Sequence, residues 1–370
     1  MYQEGQRLLK IGDKINNIYE VESYLGEGAF AEVYRVRHRF LGRQAMKVFK
    51  RTNISLEETE EILSEAILLS RLGHPNIVRL FNADVLETAL GTCGFFTMEY
   101  VAGGTLDKYW RSFGQGFVPI EQVVDIVKQV CQGLTVAHSS TPPIIHRDIK
   151  PQNILVGYDG AGICLRLSDF GLAKRVNPMT LIASARGTLA FKAPEFLERH
   201  DSTRTDIWAV GMTMYLLLTD RLPYNVEDDD DFISGRHWRY PVTLPSRFNI
   251  DVTPPLESIT MKALALKPED RFADAQEMLA AISSLSKSDA VDNKAVGGTG
   301  GSSMKTALGY RSPLDKSRAE EMVKAAFKIA NEPGRLIEAA DMLEEAMNAA
   351  PEFRNQYSYQ LVLWRKGISM

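Results

Sequence analysis

The sequence predicts an α+β chain in which a strand-rich segment leads into a larger helical one, followed by a separate all-α module. Three observations carry this. Residues 19 to 39, YEVESYLGEGAFAEVYRVRHR, alternate apolar and polar around a pair of glycines, the signature of strand, tight loop and strand. Residues 55 to 72 and 120 to 139 place apolar residues at helical spacing. Residues 285 to 313 then turn to Ser, Gly, Lys and Asp, with GGTGGSS at 297 to 303, which is a flexible-linker composition.

Composition bounds the function. The chain has 370 residues, 45% of them hydrophobic, ample for a packed core with a further element attached. A net charge of −4 offers no basic field for nucleic acid or anionic lipid, so any phosphate site must be built locally. Cys93, Cys131 and Cys164 fall at no metal-like spacing and read as reduced thiols of a cytoplasmic protein. The longest apolar run, WAVGMTMYLLL at 208 to 218, is too short to span a bilayer, and no apolar run follows a basic start, so no membrane role is expected.

In chain order, a polar leader covers residues 1 to 18. Gly26 and Gly28 form a tight loop whose backbone amides can approach phosphate, and AMKVFK places Lys47 on a third strand. Residues 55 to 72 open with a serine cap and acidic residues. Ile62, Ala66, Leu69 and Leu72 then form the expected buried stripe, with Glu65 on it. A carboxylate there needs a partner, since an unpaired buried charge costs several kcal/mol, and Lys47 is the natural one. HPNIVRL and GFFTMEYVAGGTL read as two further strands and a connection to the helical segment.

The chemistry concentrates in IIHRDIKPQNIL, residues 144 to 155, and LSDFG, residues 167 to 171. Phosphoryl transfer needs a carboxylate to hold the acceptor hydroxyl in line and a cation to offset charge on the transferring group. It also needs a carboxylate and an amide to hold Mg²⁺. Asp148, Lys150, Asp169 and Asn153 can fill those roles in that order. With this spacing the chain resembles the eukaryotic-like serine/threonine protein kinases, Lys150 marking the serine/threonine branch. The resemblance covers residues 19 to 284.

That resemblance implies a two-lobed fold, a β-rich lobe over about 19 to 100 and a helical lobe over about 101 to 284, followed by a linker and a helical module at 314 to 370. It implies ATP with Mg²⁺, or Mn²⁺ in its place, and protein serine or threonine as acceptor. Leu25, Gly26, Gly28, Val33, Ala45, Lys47, Met98, Glu99, Val101 and Leu155 would surround the nucleotide, with Lys47 paired to Glu65. From Asp169 to Glu195 runs an activation segment, in which Thr180 or Ser184 would carry a phosphate received by Arg147. Thr188 would shape the acceptor site, Asp206 would hold the catalytic-loop backbone, and Glu195 would pair with Arg271. Phe191 and Lys192 depart from the tyrosine and the apolar residue customary at those positions. Two other readings are a pseudokinase scaffold, which would lack a catalytic group, and a small-molecule phosphotransferase of the same superfamily. A metal-dependent phosphatase would be the family's habitual counterpart.

Beyond the linker, three stretches carry apolar stripes: Met322, Ala326 and Ile329; Leu336, Ala340, Leu343 and Met347; Phe353, Tyr357, Leu361 and Trp364. Such short helices must pack together or on a partner. Ala339, Leu343, Ala346 and Pro351 have the spacing of a tetratricopeptide second helix, leaving two readings, one degenerate repeat or a helical tail docked on a kinase lobe.

Overall fold

The structure, a computed structural model, describes residues 7–28, 30–53, 55–114, 116–159, 162–170, 190–198, 200–224, 236–292, 313–332, 335–349 and 353–365. Two compact units divide the chain, and the first is discontinuous. It comprises Met1–Gly104, Val156–Cys164 and Arg311–Met370, while the second comprises Thr105–Leu155 and Leu165–Tyr310.

The first unit is built on an antiparallel sheet of β1 (Lys14–Ile15), β2 (Tyr19–Glu27), β3 (Ala31–His38), β4 (Gly42–Thr52), β5 (Leu80–Thr88) and β6 (Gly91–Glu99), in the order β1-β2-β3-β4-β6-β5. Alternation sends Tyr34, Val36, Met46, Val48 and Phe95 to one face, where they form a core with Tyr19 and Val21. That core includes Leu8 and Leu9, so residues expected as a leader are part of the lobe. Their backbone N–H groups bond Glu32 Oε2 and the Tyr34 hydroxyl, each at 3.0 Å. The short β1 also makes the strand of Lys47 the fourth. HPNIVRL is largely a turn that enters β5 only at Leu80.

Helix α1 (Leu56–Leu72) starts on a capping box in which Ser55 and Glu58 satisfy each other's backbone N–H. Its buried residues are Thr59, Leu63 and Leu69, whereas Leu72 is exposed, so the buried stripe is turned from the one expected. Glu65 lies at its half-buried margin.

A hairpin of β7 (Ile154–Asp159) and β8 (Gly162–Leu167) follows the loop that carries Asp148. Gly103 is required beside it, because a Cβ there would lie 2.0 Å from the Val156 carbonyl oxygen.

The second unit holds α2 (Leu106–Arg111), α3 (Ile120–His138), α4 (Thr203–Thr219), α5 (Pro254–Ala263) and α6 (Ala275–Asp292). Helix α4 is buried without interruption from Thr205 to Thr219, which explains its apolar character on every face. Helix α6 runs on to Asp292, well into the stretch expected as linker, and GGTGGSS lies outside the described residues.

Helices α7 (Pro313–Ala330), α8 (Leu336–Ala349) and α9 (Arg354–Arg365) complete the first unit. Val323, Ala326, Ala339, Leu343, Met347, Leu361 and Trp364 bury one another. Of the two arrangements open to the stripes, packing together or on a partner, the aromatic one takes the first and is spent inside this module. Phe327 meets Trp364 edge-on at 4.8 Å, and Tyr357 packs against Phe353 at 5.8 Å.

Candidate active site

In the second unit the loop after α3 is shaped by one buried carboxylate. Asp206, in the first turn of α4, accepts backbone N–H bonds from His146 at 2.8 Å and Arg147 at 2.9 Å. It also lies 3.0 Å from His138 Nε2. His138 Nδ1 accepts from the Ala275 N–H, so Nε2 carries the proton donated to Asp206. Burial by itself would raise the Asp206 carboxyl, but the His138 bond and the nearby histidines outweigh it and hold the group below its ordinary value. Arg147 and Asp169 adopt left-handed backbone conformations, φ 69° and 67°, each costing about 1–3 kcal/mol for a non-glycine residue. Asp206 supplies the bonds that keep the first of these turns in place.

Asp148 sits between two ammonium groups. Lys150 Nζ lies 2.7 Å from Oδ2, and Lys192 Nζ lies 2.9 Å from Oδ1 and 2.7 Å from the Arg147 carbonyl. Burial pushes the Asp148 carboxyl up, while Lys192 and then Lys150 pull it down further, leaving it far below the usual carboxylate range. Sequence reasoning singled out Lys192 only as a departure from an apolar position. Its contact with Asp148 was not anticipated, and the buried charge it implies was the available signal.

Asn153 Nδ2 donates to the Asp148 carbonyl at 2.7 Å and to Oδ2 at 2.8 Å, which turns the amide oxygen outward as a cation donor. Ser168, preceding Asp169, donates both its N–H and its hydroxyl to the Asn153 carbonyl at 3.0 Å. An amide oxygen and a carboxylate are hard donors that suit Mg²⁺, an ion that completes its shell with water and phosphate oxygens. Among the described residues no group of three His, Cys, Asp or Glu forms an all-protein cage. His146 packs its ring 4.3 Å from Phe170, and burial pushes its imidazole down against the opposing pull of the Asp206, Asp148 and Asp169 carboxylates.

Glu195 and Arg271 form a buried bidentate pair at 2.7 and 2.9 Å. Arg147 directs its side chain to Asp201 at 2.9 Å and to the Ile145 carbonyl. Leu155 bridges to Thr105. Thr180, Ser184 and Thr188 lie outside the described residues.

In the first unit, strand register places the remaining residues. Val33 opposes Lys47, which opposes Phe96, and Ala45 opposes Met98, so these side chains share the sheet face away from the lobe core. Gly26 opposes Val33, and Gly28 N–H bonds the Ala31 carbonyl at 2.8 Å, closing the loop that follows Leu25. A Cβ on Gly26 or Gly28 would meet no described residue within 4 Å, so space does not demand glycine at either position, but the φ of 157° at Gly26 is one that other residues rarely adopt. Glu99, the last residue of β6, gives its N–H to the Arg79 carbonyl at 2.9 Å, and Val101 lies two residues further along the connection.

The family model described as protein kinase domain matches residues 19–281. A probable serine/threonine-protein kinase of Clostridium acetobutylicum is 31% identical over 74% of this chain and 41% of its own length. The serine/threonine-protein kinase PknB of Mycolicibacterium smegmatis is 30% identical over 75% of this chain and 44% of its own. The chain thus spans less than half the length of these relatives. Among solved structures, the kinase domain of Mycobacterium tuberculosis PknI is 26% identical, covering 75% of this chain and 99% of that one with a TM-score of 0.55. With its sheet-based first lobe, its helical second and the family model matched across both, the chain belongs to the protein kinase family.

Proposed function

We propose that the chain is an ATP-dependent serine/threonine protein kinase, transferring the γ-phosphoryl of ATP to protein hydroxyls. The observation that carries this is the Asp148 cluster: a carboxylate with Lys150 at 2.7 Å and the Asn153 amide at 2.8 Å, one hydrogen bond from the segment bearing Asp169. Asp148 orients the acceptor hydroxyl and Lys150 offsets charge on the phosphoryl. Lys47, with Glu65 as partner, aligns the α- and β-phosphates, and the Gly26–Gly28 loop covers them. Asn153 and Asp169 would hold Mg²⁺, which when bound neutralises charge between the β- and γ-phosphates. Leu25, Val33, Ala45, Met98, Glu99, Val101 and Leu155 form the adenine surroundings.

Regulation follows from the same reading. A phosphate on Thr180 or Ser184 would compete with Asp201 for Arg147, ordering the segment by charge-assisted bonds. Thr188 belongs to the acceptor site, and a metal-dependent phosphatase is the opposing activity.

The test uses labelled ATP with a generic basic protein, beside an aminoglycoside panel. The kinase reading expects label on protein alone. Asp148→Asn should lower turnover on the order of 10²- to 10⁴-fold with nucleotide binding retained. Asp169→Ala should also weaken Mg·ATP binding. Wild-type turnover in Asp148→Asn, or label only on the small molecules, would overturn the assignment.

A further inference from the structure

The sheet face that carries Val33, Lys47, Ala45 and Met98 does not end at those residues. On the same face Arg35 directly opposes Ala45, and Arg37 opposes Arg43. Three guanidinium groups therefore continue the row next to the position read as the adenine end. One carboxylate from the lobe, Glu22, lies 3.1 Å from Arg35, 2.6 Å from Arg37 and 3.0 Å from Arg43. A single negative charge cannot balance three positive ones.

Helix α8 supplies the balance. Glu345 lies 2.7 Å from Arg35, Asp341 lies 3.7 Å from Arg43, and Glu338 lies 3.9 Å from Arg37, three acids spaced along one face of the helix. Asp341 is itself held by Arg365 of α9 at 2.7 Å, and Glu344 takes the other arm of Arg365 at 2.6 Å and a backbone N–H from Tyr158 of β7. Glu345 makes one more contact. The Tyr100 hydroxyl lies 3.5 Å from Oε1, and its ring lies under the Arg35 guanidinium at 5.7 Å. Tyr100 stands between Glu99 and Val101, the two residues whose backbone would face adenine. Helix α8 thus grips the far side of that connection while its neighbouring acids cover the end of the same sheet face.

We propose that the C-terminal module is a built-in part of the nucleotide site, with Glu345 as a positioning residue that fixes Tyr100 and Arg35 and thereby sets nucleotide affinity. This rests on the ATP reading above. Glu345 touches no reacting atom, so its loss weakens binding and leaves the phosphoryl-transfer step alone.

The experiment titrates a fluorescent ATP analogue against the full-length chain and its variants, with steady-state kinetics and melting curves alongside. Glu345→Gln should raise both the dissociation constant and KM for ATP roughly three- to tenfold with kcat unchanged, less than the whole worth of a charge-assisted hydrogen bond because Glu345 acts on the nucleotide only through Tyr100 and Arg35. Glu345→Lys should raise them further, and Glu345→Asp should recover part of the loss. Wild-type affinity should weaken as salt rises, and the Glu345→Gln protein should show less of that dependence. If Glu345→Lys proves unfolded, the salt series on wild type beside Glu345→Gln decides alone. Wild-type binding with identical constants and salt slopes in Glu345→Gln overturns the positioning role while leaving the kinase reading intact. Equal losses in kcat and melting temperature, with KM unmoved, overturn it in favour of simple structural support. Failure of the wild type to bind nucleotide overturns both.

Discussion

Lys192 Nζ lies 2.9 Å from Asp148 Oδ1, on the oxygen that Lys150 leaves free. Both carboxylate oxygens are therefore engaged by ammonium groups, and Lys192 takes one of the two acceptor sites on Oδ1, so an acceptor hydroxyl must share that oxygen with an ammonium group. A hydrogen bond to a charged group is worth about 1.5–3 kcal/mol, or roughly 10- to 100-fold in rate. Lys192→Met should accordingly raise the basal phosphorylation rate of protein not phosphorylated in its activation segment, by up to about tenfold. Initial rates of phosphatase-treated wild type and variant would measure it. A rate below wild type would mean that Lys192 assists the reaction instead.

Asp206 carries a signed pH prediction. Its carboxyl is held below the ordinary value, near 3.9 for an unfolded chain, so its contribution to stability is fully present above that pH and is lost as pH falls through the lower native value. Asp206→Asn should remove that component, flattening stability below about pH 4 relative to wild type. At neutral pH it should cost about 1–3 kcal/mol, because an amide cannot accept from two backbone N–H groups and His138 together. Denaturant titrations at several pH values would test both parts.

Arg271 uses every donor of its guanidinium. Beyond Glu195 it bonds the carbonyls of Ala265 at 2.7 Å, Leu266 at 3.0 Å and Arg204 at 3.1 Å. Arg271→Ala would strand a buried carboxylate and should destabilise the helical lobe by about 3–5 kcal/mol. Arg271→Lys should recover only part of this, since an ammonium cannot reproduce the fork. Chemical denaturation of the two proteins gives the comparison.

Gly103→Ala should destabilise the first unit by about 1–3 kcal/mol, as overpacking does, because its new methyl would meet the Val156 backbone. Hydrogen exchange should locate the loosening at the Val156 N–H, which donates to the Gly104 carbonyl at 2.8 Å. Normal protection there would refute the argument.

Much of this was legible because it rests on chemistry that few residue types can supply. Asp148, Lys150 and Asn153 lie within one short loop, so their proximity follows from the chain itself, and alternation along β2 to β4 fixes which residues share a face with Lys47. Other features left weaker traces. Leu8 and Leu9 belong to a segment with only a two-residue strand, too short to show a period. In α1 the small residues Thr59 and Ala66 blur the stripe, and the buried face centres on Leu63. On α8 the acids Glu338, Asp341 and Glu345 carry no signal in the sequence, because nothing local announces that three arginines some three hundred residues earlier await them. The aromatic stripe left its choice of surface open for a different reason. Large rings signal burial without saying against what, and here they bury one another.

The discontinuity of the first unit has a consequence for how the protein is made. The strands that carry Arg35, Arg37 and Arg43 leave the ribosome early, whereas their partners on α8 are synthesised only after the whole helical lobe. Closing so long a loop costs little more entropy than closing one half its length, so equilibrium does not oppose the pairing. Time does, since synthesis proceeds at about 5–20 residues per second. For that interval the nascent lobe presents three arginines sharing the carboxylate of Glu22, a cationic face open to nucleic acid and acidic chaperones until the last helices arrive to neutralise it.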